Sequence, residues 1–168
     1  AQISAEGNAL LLAKDNINLD VAHNYETQTS DSRASGWGFD NRMTGLPVGM
    51  YKSKANGDGT TDTTVSTNLS VGGSATLATT TGDINIIGSN AVSTGDMNLN
   101  AANNLNIISA QNTATNENHS RSKAIGNVVI SDTERFMGYH NEKANNDNQT
   151  VTQVFSNVGS LSGNVNAT

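Results

Sequence analysis

The sequence predicts an all-β chain folded as a parallel β-helix, interrupted by two β-hairpin-like excursions. Two nested repeats and a strict apolar/polar alternation carry that expectation. At an offset of 88, residues 4–33 align with 92–121 at ten identical positions, among them Gly7/Gly95, Leu11/Leu99, Asn16/Asn104, Asn18/Asn106 and Arg33/Arg121. A shorter period lies inside that unit. Gly73-Ser-Ala-Thr-Leu-Ala-Thr79 is similar to Gly95-Asp-Met-Asn-Leu-Asn-Ala101 at a spacing of 22, and Asp83-Ile-Asn-Ile-Ile-Gly-Ser89 to Asn104-Leu-Asn-Ile-Ile-Ser-Ala110 at 21. Apolar and polar residues alternate in each stretch, the period of a strand. No segment holds an i, i+3, i+4, i+7 apolar face for three turns.

The chain thus reads as two tandem units, about 1–88 and 89–168, forming one β-helical repeat segment of a longer protein. A turn of 21–22 residues is too short for two long antiparallel strands, but it suits one coil of two or three short ones. Leu77, Ile84, Ile86, Met97, Leu99, Leu105 and Ile107 are expected to point inward. Successive coils lie about 4.8 Å apart, so Leu77 stacks on Leu99, Ile84 on Leu105 and Ile86 on Ile107. The same stacking gives a role to the 25 Asn residues: Asn85 and Asn106 are expected to form an amide ladder, in the interior or at a turn. A single coil scarcely offsets the entropy of ordering it, so stability must come from many stacked coils.

Two segments break the coil pattern, about 25–64 and 113–152. Structureless loops of that length are uncommon, so each is expected to leave the helix as a hairpin and return. Trp37 and Phe39 alternate on one limb of the first; Leu46, Val48 and Met50, followed by Tyr51, lie on the other. Phe136 and Tyr139 stand in the second. Two readings of these side chains stay open: they pack the hairpins onto the coils, or they form a contact surface for a protein or membrane. Asn56-Gly-Asp-Gly-Thr-Thr-Asp62 is expected to be a polar turn at the hairpin base. Its oxygen ligands lack the sixth-position Gly and twelfth-position Glu of a helix-flanked calcium loop.

Composition narrows the function classes. The chain has 168 residues, a net charge of −6, 4% aromatic residues and no Cys. That excludes a disulfide scaffold, a Cys-ligated zinc site and a thiol nucleophile. No run is apolar enough for a membrane helix. The first residues lack a basic stretch followed by an apolar core, so no signal peptide is expected within them. An acidic balance with Lys and Arg scattered singly argues against nucleic acid as a partner. His23, His119 and His140 sit on polar stretches with no nucleophile or base placed by sequence. The chain is expected to be no enzyme, with no catalytic residue, cofactor or metal.

The string Ser93-Thr-Gly-Asp-Met-Asn-Leu-Asn-Ala-Ala-Asn-Asn-Leu-Asn-Ile-Ile-Ser-Ala-Gln-Asn112 resembles the haemagglutinin repeat of filamentous-haemagglutinin-like two-partner-secretion exoproteins. So does the order of a coil pair, a Ser/Lys/Arg-rich excursion and a return through Val158-Gly-Ser-Leu-Ser-Gly-Asn-Val-Asn166. The resemblance covers essentially the whole chain. It implies a right-handed β-helix, export through a dedicated outer-membrane transporter, and a place outside the outer membrane at a Gram-negative cell surface. The excursion-bearing arrangement is most similar to contact-dependent growth inhibition exoproteins, which deliver toxins to neighbouring cells. One departure is that family excursions are often rich in Gly, Ser and Val, whereas these carry Trp, Met, Asp and Glu. The function expected is a structural stalk and delivery segment. The alternative is an adhesin segment binding host or bacterial cell surfaces. An enzyme built on a β-helix is disfavoured, because coils 73–110 offer only Asp83 and Asp96 and no Lys or Arg.

Overall fold

The structure, a computed structural model, describes residues 1–39, 48–129 and 135–168, and the side chains of these outside 37–48 and 127–137. Every regular element among the described residues is a strand. The first coil holds β1 (Gln2–Ala5), β2 (Ala9–Ala13) and β3 (Ile17–Leu19). Two long strands follow, β4 (Ala22–Phe39) and β5 (Val48–Val65). The second coil is β6 (Asn68–Val71), β7 (Ala75–Thr79) and β8 (Ile84–Ile87), and the third is β9 (Asn90–Ser93), β10 (Met97–Asn100) and β11 (Leu105–Ile108). Another long pair, β12 (Ala110–Val129) and β13 (Arg135–Val154), leads to β14 (Asn157–Ser160) and β15 (Val165–Ala167).

Equivalent strands of successive coils stack into three parallel sheets, ordered β1-β6-β9-β14, β2-β7-β10-β15 and β3-β8-β11. The register follows the repeat. Leu99 pairs with Leu77, Leu105 with Ile84, Ile107 with Ile86 and Asn106 with Asn85. This is the parallel β-helix expected from the spacing.

Alternation along these short strands sends every second side chain inward. Leu69, Leu77, Ile84, Ile86, Met97 and Leu99 are fully buried, with Ala75 and Ala91 filling the narrower levels. Each large one contributes about 1.5–3 kcal/mol. Ile107 occupies an inward register position but is 45% exposed. It stays exposed because β11 is the edge strand of its sheet, with no further coil over it among the described residues. Leu105 is only partly buried for the same reason.

Polar side chains bind the coils together on the outside. Asn106 Nδ2 donates to Asn85 Oδ1 and Asn85 Nδ2 to Asn18 Oδ1, each at 2.8 Å. A parallel ladder runs from Asn157 through Asn90 to Asn68, each bond 2.7 Å. Asn85 lies between the inward Ile84 and Ile86, so period 2 places its ladder on the outer face, neither in the interior nor at a turn.

At the corners a different column forms. In two of the three sheets, the residue before each strand offers a short acceptor to the backbone N–H of its counterpart in the next coil. Asn8 accepts from Ser74 at 2.8 Å, Ser74 from Asp96 at 3.2 Å, and Asp96 from Asn164 at 2.8 Å. Asn16 likewise accepts from Asp83, and Asp83 from Asn104, at 2.8 and 2.9 Å. Glycines precede the first column. A Cβ on Gly95 would lie 2.7 Å from Ser74 Oγ, and one on Gly163 2.7 Å from the Gly95 carbonyl carbon. At Gly163, where the neighbouring coil's backbone comes this close, a side chain would not fit.

Buried hydroxyls are all paired. Ser93 donates to the Gly95 carbonyl at 2.7 Å, Thr79 to Gly82 at 2.7 Å and Thr67 to Asp20 at 2.6 Å. No described buried side-chain polar atom lacks a partner, as a core this thin requires.

The chain divides into two compact units, one of coils (Ala1–Tyr25, Thr61–Thr113, Val151–Thr168) and one of excursions (Glu26–Thr60, Ala114–Thr150). The long strands form one four-stranded sheet, ordered β13-β12-β5-β4. The two excursions therefore pair with each other through β5 and β12 instead of standing as separate hairpins. The stretch 56–62, expected as a turn, lies wholly within β5. Gly57 within it allows close strand approach: a Cβ there would lie 2.7 Å from Asn118 Oδ1 and 2.8 Å from Ser30 Oγ.

Candidate contact surface

Of the candidate contact residues, the side chains of Trp37, Phe39, Leu46, Val48 and Phe136 lie outside the described residues. The others are half in solvent: Met50 and Tyr51 are each 49% exposed and Tyr139 54%. Tyr51 has a local partner. Its ring covers Gly36 on the neighbouring strand, where a Cβ would come within 2.8 Å of Tyr51 Cε1. An aromatic ring laid across a strand glycine shields backbone that the glycine leaves bare.

The three histidines have separate partners. His23 Nδ1 lies 3.0 Å from Asp62 and its ring stacks on Tyr25 with centroids 5.7 Å apart. His119 meets Asn145 Oδ1 at 3.2 Å, and His140 Nε2 lies 3.5 Å from Glu142. None adjoins a hydroxyl or second base in a catalytic arrangement among these contacts. Asp83 and Asp96, the two carboxylates of coils 73–110, both accept from backbone amides at the corners.

The feature that the sequence hides is cationic. Eight of the nine Lys and Arg residues fall in the excursion unit, Lys14 being the exception. Five of them, Lys52, Lys54, Arg121, Lys123 and Lys143, line one open groove of about 380 Å³ with His119, Asn56 and Asn145. Scattered in sequence, they converge because period 2 sends Lys52, Lys54 and Asn56 to one face of β5, and His119, Arg121 and Lys123 to the same face of β12. The alternation Lys-x-Lys and Arg-x-Lys was the available signal; the pairing of β5 with β12 was not in view. Among the described residues no ion pair engages these five cations.

The family model for the hemagglutinin repeat matches residues 46–168. The chain belongs to that family: it is a filamentous-haemagglutinin-like repeat segment. Membership implies a secreted or cell-surface exoprotein of the class associated with two-partner secretion. No curated protein and no solved structure matches the chain.

Proposed function

We propose that this chain is a non-enzymatic stalk and delivery segment of a Gram-negative exoprotein, exported by an outer-membrane transporter of the two-partner type and displayed outside the outer membrane. In this reading the exoprotein acts in contact-dependent growth inhibition. The observation that carries the structural role is the employment of the coil side chains. Apolar residues fill the core, Asn residues form ladders, and Asp83 and Asp96 hold corner amides. In coils 73–110 both carboxylates are thus occupied by backbone amides, which supports a structural role.

An adhesin segment is the second reading, favoured by the exposed Met50, Tyr51 and Tyr139 and by the cations gathered on the excursion sheet. Producing the whole exoprotein in donor cells separates the two. Delivery predicts that neighbours lacking immunity are inhibited in mixed culture and spared across a porous filter. It also predicts that replacing Met50, Tyr51 and Tyr139 by Ser leaves attachment intact. Cells that adhere without inhibition, and lose adhesion in the Ser variant, identify an adhesin.

A further inference from the structure

We propose that the groove on the excursion sheet is a binding site for a compact anion bearing several phosphate groups. The inference concerns the excursion unit alone and stands whether the segment is a stalk or an adhesin.

Contacts fix how β5 and β12 run. Thr64 meets Asn112, Thr60 meets Thr115, and Gly57 approaches Asn118, so the strands are antiparallel. Continuing that register brings Lys54 beside Arg121 and Lys52 beside Lys123. On the other side of β12, the His119–Asn145 contact sets the register that brings Arg121 beside Lys143. Like charges directly opposite across strands destabilise a sheet. An arrangement that stacks five of them in one groove acquires a favourable counterpart when an anion enters.

The groove's chemistry selects the anion. Four of its five cations are Lys, point charges suited to tetrahedral oxyanions, whereas planar carboxylates match the Arg fork best. Among the described residues no Phe, Tyr or Trp lines it, so it lacks the row of large rings on which single-stranded nucleic acid stacks. Charge limits the ligand's length. The same register places Asp58, Glu117 and Asp147 on the same face just beyond the row of Asn56, His119 and Asn145. A long polyanion following the strands would run into these carboxylates. A volume of about 380 Å³ suits a few phosphate groups. Arg33, which the register sets beside Lys54 on β4, is held by Asp31 at 3.0 Å and is left out of the groove.

Titration calorimetry of the 168-residue chain with sodium tripolyphosphate tests the site. Binding is expected at low salt, weakening as salt screens it. Lys54→Gln and Arg121→Gln are each expected to lower affinity by about tenfold, and Lys14→Gln to leave it unchanged. Orthophosphate and citrate should bind far more weakly. Folding is checked by melting: tripolyphosphate should raise the Tm of the unmodified chain and of Lys14→Gln but not of the Lys54→Gln/Arg121→Gln double variant, which itself should melt no lower. Equal affinity for citrate, equal losses in Lys14→Gln, or no binding at all would overturn the proposal. Two sources share this chemistry. Flotation with phosphatidylcholine vesicles containing phosphatidic acid, competed by tripolyphosphate, assigns the groove to a lipid headgroup. Tripolyphosphate binding without flotation assigns it to a soluble phosphate compound.

Discussion

Asn85 shows how one residue type serves two ends in this fold. Its side chain donates to Asn18 and accepts from Asn106, so it ties three coils together on the outer face. An exposed hydrogen bond contributes little, about 0.5–1 kcal/mol. Asn106→Leu removes one such bond and Asn85→Leu two, so the second should lower the chemical denaturation midpoint more. A midpoint unmoved or raised in both would mean that the ladder merely decorates a solvated face. Inside, the scale changes. Leu77 is fully buried, and Leu77→Ala should cost about 2–5 kcal/mol in the same assay. The inward positions are legible in sequence because alternation encodes direction. Burial is less so, since Ile107 shares the pattern of Ile86 and is exposed at an edge coil. The corner column of Asn8, Ser74, Asp96 and Asn164, in which the first three accept from the backbone of the next coil, was not legible in the sequence. Three different residue types fill that column, and its logic exists only once coils are stacked in register.

At the scale of elements, short and long strands obey different rules. A coil strand of four residues cannot stand alone, and it is stabilised by its equivalents above and below. The long strands form an antiparallel sheet whose inner members, β5 and β12, come from different repeat units. Alternation within one excursion reveals a hairpin but is silent on which strand its free edge meets. That is why the four-stranded sheet, and with it the cationic groove, lay beyond the sequence. Amide hydrogen exchange should report the order directly. Protection in the middle of β5 and β12 should exceed that in β4 and β13, whose outer edges are unpaired in this sheet. Equal protection of β4 and β5 would mean that the excursions open as independent hairpins.

For the whole molecule, an internal period of 21–22 residues has been converted into a vertical spacing of one strand. That period sets the apolar core, the Asn ladders and the corner columns at once, so it is the claim on which the rest depends. Far-UV circular dichroism should show β-structure without substantial helix, though many β-folds share that signature. A cysteine-free chain permits a sharper measurement. Thr76 and Asn98 are register partners on β7 and β10, both facing outward, and adjacent strands bring Cα atoms within disulfide range. Under mild oxidation the Thr76→Cys/Asn98→Cys chain should cross-link nearly completely with its circular dichroism unchanged. The Thr76→Cys/Asn100→Cys chain, displaced by one period along the same face, should remain reduced. Equal cross-linking of the two pairs, or none in the first, would contradict the stacked-coil register.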